Sequence, residues 1–188
     1  MENNQIKESR RVRYTKKALC ESLMELMKTR PISAISIKEL CAKADISRSS
    51  FYTYYADQHD LLRKIEEETL AFIDNLLNKY DAYKNDKRAA LQMLEETLHY
   101  VADNNKSIYV LFSENGNINF QKNLFSSMYK KSFSNSFLGK LPGEETRQYY
   151  YLFFVTGTIG IIYHWINNNM NTPINELAKL IIKITSGF

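Results

Sequence analysis

The sequence predicts an all-α protein: an N-terminal three-helix head of helix-turn-helix form, then a larger helical body. Three observations carry that prediction. Only 6 glycines and 3 prolines occur in 188 residues, of which 44% are hydrophobic, a composition poor in turn formers. Apolar residues recur at three- and four-residue spacing, and no alternating strand pattern of any length survives. Two short segments near the N-terminus each begin with a serine cap flanked by a pair of apolar staple positions.

The elements follow in order. The first helix is expected to start at Thr15, as its N-cap, after the basic arm "KESRRVR". Leu19, Leu23, Leu26 and Met27 then share one face, and Pro31 stops it. In "ISIKEL", Ser36 and Glu39 have capping-box spacing, with Ile35 and Leu40 at the staple positions. The second helix should end near Asp45. Only Asp45 and Ile46 separate Ala44 from the next cap, Ser47, whose staple pair is Ile46 and Phe51. Two short helices joined this tightly form a helix-turn-helix. Asp57 caps a longer fourth helix with Leu61, Ile65, Phe72, Leu76 and Tyr80 along its apolar side. Further helices are expected over Asp86–Ala102, Ser107–Phe112, Phe120–Leu138, Glu144–Asn169 and Pro173–Thr185, the last capped by Thr172 with proline at its first position. Loops are expected at Asn115–Asn119 and from Gly139. The domain boundary falls between residues 1–56 and 57–188.

Charge separates the two parts. Residues 1–56 hold 11 Lys/Arg against 6 Asp/Glu, while the rest hold 14 against 15. A basic head on a neutral body implies an acidic partner, nucleic acid first. Cys20 and Cys41 sit among apolar residues as free thiols, which fits a cytoplasmic location, as does an N-terminus without an apolar leader. No Lys, Arg, Asp or Glu occurs between Arg147 and Glu176. Its interior threonines, glycines and His164, its scattered aromatics and the lack of flanking basic clusters argue for a buried or interface helix over a membrane span. Catalytic patterns are thin. Glu96 and His99 make a Glu-x-x-His pair beside Glu95, but no second such pair supplies the other ligands of a carboxylate metal site. His59 and His164 are isolated, and "TGTIG" lacks the lysine of a phosphate loop. Neither an enzyme, a resident metal nor a cofactor is expected.

The stretch "TKKALCESLMELMKTRPISAISIKELCAKADISRSSFYTYYADQHDLL", Thr15 to Leu62, resembles the N-terminal domain of TetR-family transcriptional regulators. The caps, the turn and the aromatic run all coincide. The C-terminal "GTIGIIYHWINN … ELAKLI" resembles the same branch more loosely. Two positions depart from the pattern. Asp45 stands where the family usually has glycine, and Asp tolerates left-handed backbone. Gln58 stands where the family commonly has a phosphate-binding lysine.

Within that frame, winding Ser47 to Tyr55 at helical pitch stacks Phe51 and Tyr55 on one side as core. Arg48 projects from the first turn, where recognition helices meet base edges, and has the fork to read guanine. Ser49 and Tyr52 are placed for adjacent bases; Ser47, Ser50, Thr53 and Tyr54 are placed for phosphates. The resemblance implies that Lys38 points into the same groove and that the helix starts at Thr15 and Ser36 approach phosphates. Arg10, Arg11 and Arg13 are placed to reach an adjacent minor groove. It also implies an effector site in the body, with Tyr100, Phe112, Tyr129, Phe133, Tyr150 and Phe154 as candidate lining. The uncharged helix and its successor suggest a homodimer contact through Gly157, Gly160, Ile161, His164, Trp165, Leu177, Leu180 and Ile181. The expected function is therefore a DNA-binding transcriptional regulator, a repressor released from a palindromic double-stranded operator by a small-molecule effector. The alternatives are an activator, a regulator answering to a protein partner, and a helical metal-binding or membrane protein.

Overall fold

The computed structural model describes residues 9–80, 86–132 and 143–186, and every regular element among them is helical. The helices are α1 (Arg10–Met27), α2 (Ile37–Ala44), α3 (Arg48–Tyr54), α4 (Gln58–Tyr80), α5 (Lys87–Asp103), α6 (Asn105–Leu111), α7 (Ile118–Ser132), α8 (Glu144–Asn167) and α9 (Ile174–Ser186). Phe133 and the loop from Gly139 lie outside the described residues.

Four starts differ from expectation: α6 begins at Asn105 rather than Ser107, and the other three differ because a cap acts at a different residue. The first helix starts at Arg10, with Ser9 extended and its hydroxyl accepting from the Val12 N–H at 3.3 Å. Nothing between Ser9 and Thr15 breaks a helix, and arginine is a good helix former, so the helix runs back to the earlier cap. Thr15 is thus a buried mid-helix residue, not a cap, and Arg10, Arg11 and Arg13 belong to the helix rather than to an arm. Helix α7 begins at Ile118, before Phe120, because Asn117 caps it by accepting from the Asn119 N–H at 3.0 Å. At α9 the capping carbonyl is that of Pro173, which accepts from Leu177 at 3.0 Å, so Thr172 sits one residue outside.

The core does not respect the head–body boundary. Leu19, Leu23, Met24, Leu40, Phe51 and Leu61 form one buried cluster with Val110 and Leu111 of α6 and with Phe120 and Leu124 of α7. The head therefore shares its core with the body, as a three-helix unit too small to bury enough surface alone requires. A second cluster joins α5, α8 and α9 through Leu98, Val101, Trp165, Leu177, Ala178 and Ile181.

That cluster corrects part of the expected dimer surface. Trp165, Leu177 and Ile181 are buried inside the chain, and the indole N–H of Trp165 donates to the Thr172 carbonyl at 2.8 Å. Apolar residues run right round α8, so its spacing alone could not assign an inward and an outward face. The outward face carries Leu152, Phe153, Gly157, Gly160 and His164, beside Leu180 and Ile184 of α9. Ile161 packs partly against the second cluster.

Polar contacts also tie α4 to other body helices, α7 and α5. Asp74 accepts from the Ser127 hydroxyl at 3.0 Å, and Glu96 of α5 accepts from Lys79 at 2.6 Å and from the Tyr80 hydroxyl at 2.7 Å. Glu66 is the exception to good pairing. It is 8% exposed; one oxygen accepts from Asn117 at 3.3 Å and Oε1 has no partner among the described residues. Burial raises its carboxyl above the ordinary range, against the lowering effect of the Asn117 amide. A raised carboxyl contributes stability below the unfolded value of about 4.3 and loses it as pH rises through the folded value. Glu66→Gln should therefore gain on the parent in thermal midpoint as pH rises above the unfolded value of about 4.3. Parallel pH profiles for the two proteins would refute a desolvated carboxyl here.

Candidate nucleic-acid interface

The turn between α2 and α3 is built from three local devices. Ser36 accepts from the Glu39 N–H at 3.2 Å and starts α2, while the Glu39 carboxylate turns away to pair with Arg30, so the capping box is only half used. Asp45 closes α2 in the left-handed region at φ 54°, ψ 41°, and the Ile46 N–H donates to the Cys41 carbonyl at 3.0 Å. An aspartate there carries the reversal that glycine makes more easily. Ser47 then caps α3 by accepting from the Ser50 N–H at 3.1 Å.

The aromatic run divides as its helical winding requires. Phe51 is fully buried and Tyr55 nearly so, with ring centroids 5.7 Å apart. Tyr55 has already left the helix for extended backbone, yet keeps its ring in the core. Tyr52 is 52% exposed, and Tyr54 is half-buried with the Lys16 ammonium 5.9 Å from its ring centroid. Arg48, Ser49 and Thr53 are exposed on the same short helix, and Lys38 is exposed on α2. The Ser47 hydroxyl lies 3.0 Å from that of Ser49 and 2.9 Å from that of Ser50, and Thr53 donates to the Ser49 carbonyl at 3.1 Å. These local bonds hold the hydroxyls in one orientation while leaving lone pairs outward. Arg10, Arg11 and Arg13 lie in the first turns of α1, with Arg10, Arg11, Arg13 and Tyr14 exposed, so these three positive charges are carried on a helix.

Two contributors leave almost no mark in the sequence. Asp60 and Lys64, one turn apart on α4, reach back to the end of α3: Asp60 accepts from the Ala56 N–H at 3.0 Å and Lys64 donates to the Tyr54 carbonyl at 2.8 Å. Their four-residue spacing after the Asp57 cap is the only trace of this, and it reads as an ordinary surface ion pair.

The other candidate sites disperse. Glu96 tethers α5 to α4, and no group of three or more His, Cys, Asp or Glu among the described residues is arranged to hold a metal. No described helix is long and apolar enough to cross a membrane. Of the expected effector aromatics, Tyr100 stacks on Phe72 at 3.8 Å and Phe112 packs against Phe120 at 6.2 Å. Tyr129 lies edge-on to Tyr151 at 4.9 Å and hydrogen-bonds Glu144, while Tyr150 and Phe154 are half-buried on α8.

Comparison with known proteins fits this geometry. The chain is 23% identical over 170 residues to the uncharacterized HTH-type transcriptional regulator YxbF of Bacillus subtilis, covering 88% of this chain and 43% of YxbF. It is 29% identical over 82 residues to the dhaKLM operon transcriptional activator DhaS of Lactococcus lactis, 44% of each protein. These matches span less than half the length of either relative. The fold is similar to that of a TetR-like transcriptional regulator from Rhodococcus sp. RHA1, with a TM-score of 0.67 at 18% identity over 91% of this chain and 93% of that one. Residues 88–187, more than half the chain, match the family model for a transcriptional regulator C-terminal region of TetR type. With a helix-turn-helix at one end and that region at the other, the chain belongs to the TetR family of transcriptional regulators.

Proposed function

We propose that the chain is a homodimeric, cytoplasmic repressor that binds a palindromic double-stranded operator through residues 1–56 and releases it when an effector occupies the body, residues 57–188. The carrying observation is the α2–Asp45–α3 unit, which presents Arg48, Ser49 and Tyr52 outward on a helix whose other face, Phe51, is locked in the core. Arg48 reads a guanine; Lys38, Ser36, Ser47, Ser50, Thr53 and Tyr54 set register on phosphates. The two recognition helices must sit about 34–36 Å apart, and the outward face of α8 and α9 is the surface that sets this distance. An added Cβ at Gly157 or Gly160 would meet nothing within 4 Å, which leaves room for a second copy's helix. The relative DhaS is by name an activator, so the sign of regulation is read from the position of the operator relative to its promoter.

The test selects operators from random duplexes with the full chain, then titrates the selected site. Arg48→Ala should lose about 1–3 kcal/mol on that site and relax preference at one base pair per half-site. Light scattering on the same preparations should give a dimer for Arg48→Ala and a monomer for Gly157→Leu. A parent protein that enriches no sequence, or full preference in Arg48→Ala, refutes the assignment of α3.

A further inference from the structure

Helix α3 has only seven residues, so its direction depends on what holds its two ends. Its last carbonyls have no partners within the helix. The chain leaves α3 at Tyr55 in extended backbone, with φ −139° and ψ 137°, so no further turn closes over them. The Tyr54 carbonyl is instead met from α4. The Lys64 ammonium donates to it at 2.8 Å, lies 4.9 Å from the centroid of the Tyr55 ring and stands 3.6 Å from Asp60 Oδ2. Asp60 Oδ2 in turn accepts from the Ala56 N–H at 3.0 Å, and Asp60 is itself held by Arg63. One carboxylate and one ammonium on a single turn of α4 thus grip the Ala56 N–H and the Tyr54 carbonyl at the α3–α4 corner.

We propose that Lys64 is a positioning residue for operator recognition, holding the end of α3 against α4 so that Arg48 and Tyr52 meet the groove at a fixed angle. This rests on the reading of α3 as the recognition helix. A contact shell that fixes a short functional element matters more than its contribution to folding, because base readout tolerates little misplacement. Elsewhere α3 is anchored by the buried Phe51 ring and by the half-buried Tyr54 ring, packed against the same core cluster, and the hydrogen bond from Lys64 fixes the backbone at its far end. The ammonium already engages a carbonyl, a carboxylate and a ring face, while its side chain stays 42% exposed; a structural hold acts through geometry. Its role is therefore distinguishable from a phosphate contact, which would act through charge.

The experiment compares the parent, Lys64→Met and Lys64→Arg as full chains on the operator recovered by selection and on a random-sequence duplex, each across a series of salt concentrations. Lys64→Met keeps the stem and loses the donor. It should weaken operator binding about tenfold, leave random-duplex binding within about twofold, and keep the slope of log Kd against log salt. Its thermal midpoint should fall by no more than about 4 °C, and Lys64→Arg should recover most of the operator affinity. Equal losses on both duplexes with a slope lower by about one would make Lys64 a phosphate ligand and overturn the proposal. Unchanged operator affinity, or a loss that follows a large fall in thermal midpoint in both variants, overturns it as well. If the parent selects no sequence, the recognition-helix reading falls first and this inference with it; a selective parent with an equally selective Lys64→Met isolates the failure to Lys64.

Discussion

Phe51→Ala is expected to cost about 3–5 kcal/mol of stability and to abolish DNA binding by unfolding rather than by loss of a contact. The ring is fully buried, edge-on to Tyr52 at 5.6 Å and tilted on Tyr55 at 5.7 Å, so truncation removes two aromatic contacts and leaves a void. The cluster around it includes Val110 and Leu111 of α6 and Phe120 of α7. The damage therefore spreads beyond the head, and heat should unfold the variant in one transition lowered by roughly 6–20 °C, at 2–4 °C for each kcal/mol. Tyr52→Ala is the control. Its ring is 52% exposed, and removing it should change stability by about 0.5 kcal/mol or less while still weakening operator binding. Thermal melts and operator titrations separate the two. A Phe51→Ala protein that melts like the parent would mean that α3 is not seated on this core.

The contrast between these neighbours is legible in the sequence, because both signals are local. Helical pitch assigns Phe51 and Tyr52 to different faces, and the serine caps and their staples locate both ends of the turn. Even the departure at Asp45 is readable, since few residues besides glycine accept φ near 54° and aspartate is among them. Sequence pattern falls short where the deciding partner lies far along the chain or where nothing selects a face. Thr15 has the form of a cap because a hydroxyl before an apolar run is the usual cap signal, yet Ser9 acts first. Trp165 has the form of an interface residue because α8 is apolar on every side, and Leu177 and Ile181 because the apolar face of α9 could cover a second copy or its own chain; only the packing of α5 against α9 shows which surface is already covered. Lys64 shows only an i, i+4 spacing from Asp60 that reads as a surface ion pair, since its partner is a backbone carbonyl ten residues away.

Gly116→Ala is the substitution that tests the through-space part of the fold, and it should cost about 3 kcal/mol, the upper end of the overpacking range. Polarity marks the segment Asn115–Asn119 as a loop, but gives no reason for a glycine in it. The structure does. A Cβ at Gly116 would lie 2.4 Å from the Leu111 carbonyl oxygen and 2.7 Å from that of Val110. Both are backbone atoms, so no side chain can swing aside, and both carbonyls are already engaged. Val110 accepts from the Ser113 hydroxyl at 2.8 Å and Leu111 from the Gln121 amide at 2.9 Å. The alanine must push the end of α6 away from the start of α7. Val110 and Leu111 are fully buried in the core shared with the head, and the next residue, Asn117, both caps α7 and donates to Glu66 on α4. The strain therefore falls on a corner that joins α6 to α1, α4 and α7. Asn115→Ala, one residue earlier, is the comparison and should stay within about 1 kcal/mol of the parent. Urea unfolding of both variants decides it: a Gly116→Ala midpoint equal to that of Asn115→Ala would show that α6 and α7 do not approach this closely in solution.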